Sequence, residues 1–208
     1  MSAVAPKLLV FLHVAVKQRA FQGELQAALP GIDVTAVGRI GDFDRALQEG
    51  PDAVLTLPVV LAARGLPVTM HGRRQGAADE TYALVGSDST PDAAKIQSVG
   101  ALDLLGRDGT NAFVARLVGP RPKVERVTKV EDLLPLLQIQ RVDAILLAAR
   151  FVNELRVASR LNLTERDLAT KVELAAAANL GAGGAQILGA LRRLPTGLSN
   201  AVGVDEWR

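Results

Sequence analysis

Short apolar runs alternate with amphipathic stretches along the whole chain, which is the pattern of an α/β protein. In the first half, this alternation predicts strands at residues 7–16, 32–37, 53–57, 68–71 and 82–86. It predicts helices at 18–29 and 43–48, and a helical turn at 59–63. Asp42 is the predicted N-cap of the second helix, since short polar side chains accept bonds from free backbone N–H groups.

The alternation restarts after the polar stretch 87–92, which has the composition of a linker. The second half predicts strands at 96–102, 124–127 and 143–148, and helices at 110–117, 130–139 and 151–161. Thr128 and Glu131 have the spacing of a capping box. We expect a helical turn at 164–169, and either a strand or a helix at 171–177. After a glycine-rich break at 181–184, helices are predicted at 185–194 and beyond Pro195.

Two successive strand–helix runs predict two α/β lobes with two mixed, mostly parallel sheets. The chain is expected to return to the first lobe near its end. We therefore expect residues 1–88 and 178–208 to form the first lobe, and residues 89–177 to form the second.

Composition and charge narrow the function classes. Hydrophobic residues make up 49% of the chain, which is enough for a packed core. The 24 Lys and Arg residues against 22 Asp and Glu leave a net charge of +2. Because these cations are scattered along the sequence, we do not expect a nucleic-acid partner. Aromatic residues make up only 3%, so carbohydrate, which usually stacks on aromatic rings, is a poor candidate ligand.

The apolar run at residues 8–16 is too short to span a bilayer, and we expect no direct membrane insertion. His13 interrupts it, and Lys17 and Arg19 follow where a signal peptide has small residues. The run is therefore predicted to be a buried strand. We expect a periplasmic protein if a leader was removed and replaced by Met1-Ser2, and otherwise a cytoplasmic one.

The segment Gly106–Asn111 lies between a predicted strand and a predicted helix, at the sheet edge where parallel α/β folds bind ligands. Gly109 allows close approach of the backbone. Thr110 and Asn111 would add a hydroxyl, an amide and free N–H groups at a helix start, which favours an anion or carboxylate. A helix cap without a ligand is the alternative.

Three further side chains follow predicted strands and are candidate ligand contacts. His13 lies late in or after the first strand, Thr56 ends the third, and Arg150 follows the strand 143–148. A guanidinium can bind a carboxylate or phosphate through two parallel bonds. Each has an alternative without a ligand: His13 could be a core histidine with its hydrogen bonds satisfied, Thr56 could simply end its strand, and Arg150 could form a surface salt bridge.

The sequence contains no convincing catalytic set, so we do not expect an enzyme. It has no cysteine, which excludes disulfides and thiolate catalysis. With two histidines, His13 and His71, and no clear carboxylate spacing, we expect no metal site and no cofactor. The basic loop 72–76 is expected to be solvated, although it could cover an anion.

In the order of its elements, the chain resembles the type 2 periplasmic binding-protein fold and, within it, the phosphate/phosphonate-type solute-binding proteins. The stretches that carry the resemblance are 51–56, 72–76, 80–85, 96–118, 130–147 and 203–207. Tyr82, inside one of them, is a further candidate ligand contact. Where phosphonate-binding members have a Ser/Thr-rich turn, this chain has Gly109-Thr110-Asn111.

The resemblance implies a two-lobed clamp with a central cleft. Such a protein closes on a small, anionic ligand, phosphate/phosphonate- or carboxylate-like, for ABC-type uptake or sensing. An ABC permease or another membrane-complex protein is then a possible partner. Two alternatives stay open: an orphan module that acts through protein–protein contacts, and a cytoplasmic enzyme on the same fold.

Overall fold

The computed structural model describes residues 4–14 and 16–208, which divide into two compact units. The first unit contains the chain up to Asp79 together with Glu173–Arg208, and the second contains Glu80–Val172. Met1-Ser2 and Ala15, which belong to the leader and first-strand predictions, lie outside the described residues. The unit boundaries differ from the expected 88/89 and 177/178, because they fall within two strands that belong mainly to the second unit.

The first unit is built on a six-stranded sheet in the order β11-β4-β10-β3-β1-β2. Its elements are β1 (Lys7–Phe11), α1 (Gln18–Ala28), β2 (Asp33–Val37), α2 (Ile40–Gln48), β3 (Ala53–Thr56), α3 (Pro58–Ala63), β4 (Met70–Arg73), β10 (Ala176–Asn179), α7 (Gly184–Leu191), α8 (Thr196–Val202) and β11 (Glu206–Trp207). β1 is parallel to both β2 and β3, whereas β10 is antiparallel to β3 and β4. Fully buried Phe11, Phe21 and Phe43 form part of its core.

Asp52 forms hydrogen bonds with two backbone segments next to the start of β1. Its Oδ2 accepts the backbone N–H of Lys7 at 2.9 Å, and its Oδ1 accepts that of Gly183 at 3.0 Å. These two backbone bonds hold the pKa of the Asp52 carboxyl below its ordinary value. Asp52 thereby fixes the start of β1 against the glycine-rich turn before α7.

The second unit has a five-stranded sheet in the order β7-β6-β8-β5-β9. Its elements are β5 (Asp79–Ser87), β6 (Ser98–Leu102), α4 (Gly106–Val118), β7 (Lys123–Val127), α5 (Leu133–Gln138), β8 (Ala144–Ala148), α6 (Val152–Ala158) and β9 (Leu163–Glu173), with 3-10 turns at Val130–Asp132 and Ala149–Phe151. β6 is parallel to β7 and β8, and β5 is antiparallel to β8. Every side chain of β8 is buried, since helices and strands surround it.

The two-lobed α/β class with two mixed sheets is confirmed, and most predicted elements are present within a few residues of their expected bounds. Each sheet has three neighbouring parallel strands. None of the helices in the described ranges has the length and apolar character needed to cross a bilayer.

Several local predictions are wrong. Residues 164–169 belong to the strand β9 and do not form a helical turn. Asp42 lies in the first turn of α2, whose N-cap position is Arg39. The Thr128–Glu131 capping box does not form, because a 3-10 turn begins at Val130 and Lys129, its cap residue, makes no side-chain cap.

Candidate functional site

Four charged side chains follow the carboxyl-terminal edge of the second sheet. Arg126 is near the end of β7 and Asp103 follows β6, while Arg150 follows β8. Glu80 is at the start of β5, which reaches the same edge because β5 runs antiparallel to β8, with Tyr82 opposite Ala148. Along the strand order β7-β6-β8-β5 the charges therefore alternate in sign. Ligands of parallel α/β sheets bind at this kind of edge.

The first pair is held in a hydrogen-bond network. Arg126 Nη1 donates to Asp103 Oδ2 at 2.9 Å, and Thr110 Oγ1 donates to Asp103 Oδ1 at 2.9 Å. The Thr110 hydroxyl also accepts the backbone N–H of Leu105 at 3.0 Å. The network fixes the turn between β6 and α4 and holds the Arg126 guanidinium in place.

The second pair is more deeply buried. Arg150 Nη1 lies 3.4 Å from Glu80 Oε1, and their side chains are only 13% and 11% exposed. The guanidinium carbon of Arg150 also lies 4.6 Å from the centre of the Phe151 ring, within cation–π range. The separation exceeds that of a close charge-assisted hydrogen bond, about 2.7–2.9 Å.

Tyr82 lies on the same face of β5 as Glu80, since side chains two residues apart share a face. Its ring packs edge-to-face on Phe113 of α4, with centroids 5.8 Å apart. Burial, reinforced by the negative charge of Glu80, raises the pKa of the Tyr82 phenol well above its ordinary value, whereas Arg150 and Arg116 oppose that shift. Tyr82 therefore stays a neutral phenol at physiological pH.

The predicted trio Gly109, Thr110 and Asn111 does not form one cluster. Because α4 begins at Gly106, all three residues lie inside the helix. Their N–H groups therefore do not form the free helix start that the sequence suggested. The Thr110 side chain is fully buried against Asp103, whereas Asn111 is exposed and lines a surface groove with Arg107 and Lys123.

The two remaining candidates, His13 and Thr56, lie in the first unit, at the carboxyl-terminal edge of its own sheet. Thr56 is fully buried at the end of β3, and its Oγ1 donates to the Phe11 carbonyl at 2.7 Å. His13 follows β1, and its partly buried ring packs edge-to-face on Phe11 with centroids 5.4 Å apart. The structure thus places His13 and Thr56 near the ends of two neighbouring parallel strands.

Sequence reasoning missed Glu80, Asp103 and Arg126. Asp103 directly follows an apolar strand, and the edge argument used for Arg150 applies to it as well. Glu80 could be found only from the pairing of β5 with β8. Within the described ranges, no group of three or more His, Asp or Glu side chains is placed to hold a metal ion.

The expected basic loop at 72–76 is only partly a loop, because Gly72 and Arg73 belong to β4 and the tight turn is closed by two backbone hydrogen bonds between Arg74 and Ala77. The Arg73 guanidinium donates to the Gly76 carbonyl at 3.0 Å, and Asp205 accepts the Gln75 N–H at 2.8 Å.

No protein-family model and no curated protein matches this chain. Solved structures do share its fold. The periplasmic VFT2 domain of BvgS from Bordetella pertussis has a TM-score of 0.56 and 17% identity, with 95% of this chain and 91% of that chain covered. The substrate-binding protein of an amino acid ABC transporter has a TM-score of 0.58 and 13% identity, covering 94% and 91%.

XAC2383 from Xanthomonas citri bound to ATP is also similar, with a TM-score of 0.65, 13% identity, and 97% and 90% of the two chains covered. One of these three proteins is a substrate-binding protein and another was solved with ATP, and none of the three is described as a phosphonate receptor. The resemblance to the phosphate/phosphonate family is therefore not shown, while the fold is. This chain has the Venus-flytrap, type 2 periplasmic binding-protein fold over nearly its whole length.

Proposed function

We propose that the protein is a solute-binding protein whose second unit recognises a small ligand with a carboxylate and an ammonium group, such as an amino acid. The observation that carries the proposal is the largely buried Arg150–Glu80 pair at the carboxyl-terminal edge of the sheet. Taking two charges out of water is costly, so such a pair contributes little to stability by itself. Its value lies in presenting both signs to a ligand.

The pair favours a zwitterion over phosphate or phosphonate. A ligand carboxylate would accept two parallel hydrogen bonds from the Arg150 guanidinium, and a ligand ammonium would form an ion pair with Glu80. A phosphate offers no cation for Glu80, and each of its negative charges at roughly 5 Å would cost about 3 kcal/mol at an effective dielectric constant of about 20. A simple carboxylate is also repelled by Glu80, but less strongly, because it carries only one negative charge.

One of the similar proteins supports the proposal, because it belongs to an amino acid ABC transporter. Another was solved with ATP, which is a polyphosphate and supports only the general role of ligand binding. We propose the same general role here, in uptake or sensing, with an ABC permease or another membrane-complex protein as the partner.

The test is ligand-dependent thermal stabilisation, followed by calorimetric titration. The ligand set contains amino acids, dicarboxylates, inorganic phosphate and methylphosphonate. A true ligand at about a hundredfold excess over Kd stabilises the folded protein by about 2.7 kcal/mol. For a chain of this size we expect the melting temperature to rise by about 5–10 °C. A flat response to every amino acid would contradict the proposal.

Two substitutions separate the ligand classes. Arg150→Lys keeps the charge but removes the planar fork, so amino-acid affinity should fall about tenfold or more. Glu80→Gln should weaken amino-acid binding and leave phosphate binding equal or stronger, because it removes a negative charge. The matched control is Arg156→Lys in the same unit, at a half-exposed pair with Glu165 3.5 Å away, and it should change neither affinity.

A further inference from the structure

The outer edge of β7 is an open strand edge in the second unit. β7 is the last strand of its sheet and pairs only with β6 among the described residues. Its central residues are only partly buried, in contrast to the fully buried β8. Open edges present backbone donors and acceptors to another extended chain.

The register shows which backbone groups point outward. Lys123 donates its N–H to the Gln97 carbonyl at 2.7 Å, and Asp103 donates its N–H to the Val127 carbonyl at 2.8 Å. Residues 123, 125 and 127 therefore direct their backbone groups toward β6. Since these directions alternate along a strand, Val124 and Arg126 direct their N–H and C=O groups away from the sheet.

A groove of about 490 Å³ runs beside this edge. Its floor combines the flank of α4 with the start of β7, including Ala112, Ala115, Pro122 and Val124. A strand added beside β7 would place alternate side chains over this floor, because side chains of a strand point to either face in turn. Strand addition gains affinity from backbone bonds and selectivity from such pockets.

The charge around the groove selects the partner. Residues 105–129 carry six Lys and Arg against two Asp and Glu. Arg107 and Lys123 line the groove itself, and both are exposed. Lys123 Nζ lies 2.8 Å from Glu125 Oε1, whereas no ion pair is found for Arg107 in the part of the chain that the structure describes. A second copy of β7 would bring like charges together, so self-pairing is disfavoured.

We propose that the β7 edge and its groove bind an extended acidic segment of a partner protein by strand addition. The occupant lies antiparallel or parallel to β7, bonds to the outward backbone groups of Val124 and Arg126, and places an acidic side chain near Arg107. This site is separate from the Arg150–Glu80 edge and does not depend on the ligand proposed there.

The test uses fluorescence anisotropy with the full chain and a labelled Glu-Val-Glu-Val-Glu peptide. The controls are the Lys-Val-Lys-Val-Lys peptide and the acidic peptide with methylated backbone nitrogens, which cannot donate. We expect only the unmodified acidic peptide to bind, and more weakly at about 0.5 M salt, where exposed charges are screened. Equal binding of acidic and basic peptides, or binding of neither, would overturn the proposal.

Two variants identify the surface. Val124→Pro removes one outward N–H without touching the ladder to β6, and should weaken peptide binding about tenfold. Arg107→Glu should weaken it by a similar factor, and does not depend on the folding of the proline variant. Arg193→Glu, an exposed change of the same charge in the first unit, should have no effect. Unchanged binding in Val124→Pro and Arg107→Glu, or dimerisation through β7 in sedimentation experiments, would refute strand addition by an acidic segment.

Discussion

Replacing Thr110 by valine tests whether this residue is a structural link of the second unit. Valine has nearly the same shape, so the change removes the hydroxyl and leaves the packing almost intact. Two hydrogen bonds disappear with it: the one donated to Asp103 at 2.9 Å and the one accepted from Leu105 N–H at 3.0 Å.

The magnitude follows from the burial of the site. Thr110 has no exposed surface, so the Leu105 N–H loses its acceptor where water cannot easily replace it. Leaving a buried donor unsatisfied costs about 1–3 kcal/mol, and a bond to a charged group contributes about 1.5–3 kcal/mol. Asp103 keeps its contact with Arg126, and valine gains about 1 kcal/mol of apolar transfer. Both hydrogen bonds are only partly buried, so the lower half of each range applies, and the net loss of unfolding free energy is about 1.5–3 kcal/mol.

The assay is urea unfolding, with the melting temperature as a second measure. We expect Thr110→Val to lower that temperature by about 5–10 °C. Thr110→Ser is the matched variant: it keeps the hydroxyl, loses one methyl, and should cost only about 1 kcal/mol. If valine stays within about 0.5 kcal/mol of the wild type, or costs less than serine, the hydroxyl network does not stabilise the fold.

Two further changes test the first unit. Asp52→Asn should lower the melting temperature at neutral pH. Because the Asp52 carboxyl has a lowered pKa in the folded state, its stabilisation is present above the ordinary Asp pKa of 3.8 and is lost as the pH falls through the folded value. The melting temperatures of wild type and variant should therefore converge in acid. A constant difference across a pH series would refute this. Gly72→Ala should destabilise by about 2 kcal/mol or more in chemical unfolding, since the new methyl would lie 2.5 Å from the Ala175 carbonyl oxygen. Gly23→Ala, at an open position in α1, should stabilise by about 0.5–1 kcal/mol, and equal effects of the two would contradict the packing argument.

The fold was largely predictable because its information is local. Apolar runs with glycine and proline boundaries located nearly all strands and helices of the parallel portions. Most of β9 was not predicted as a strand, because its buried residues Leu163, Leu168 and Val172 do not alternate with period two. β11 was not predicted, because it consists of only two residues and pairs with β4, more than a hundred residues away in sequence.

The candidate site was only partly predictable for a related reason. Arg150 follows an apolar strand, and this is visible in the sequence. Its partner Glu80 comes beside it only through the antiparallel register of β5 and β8. The start of α4 at Gly106 was also hidden, because Gly106 and Gly109 in the first turn resemble a loop. Long-range pairing, which no local pattern encodes, decides which charges meet.

The net charge of +2 is therefore a poor guide to the ligand. The sheet edge of the second unit presents two cations and two anions in alternation, and this arrangement creates local dipoles with no net charge. A multivalent anion gains from Arg150 and loses to Glu80 by similar amounts, since both lie at comparable depth. A ligand that carries its own dipole gains from both. The proposed selection for a zwitterion thus rests on the order of charges along β7, β6, β8 and β5. Removing both charges of the pair as Arg150→Gln with Glu80→Gln keeps the net charge and should abolish amino-acid binding in the calorimetric titration.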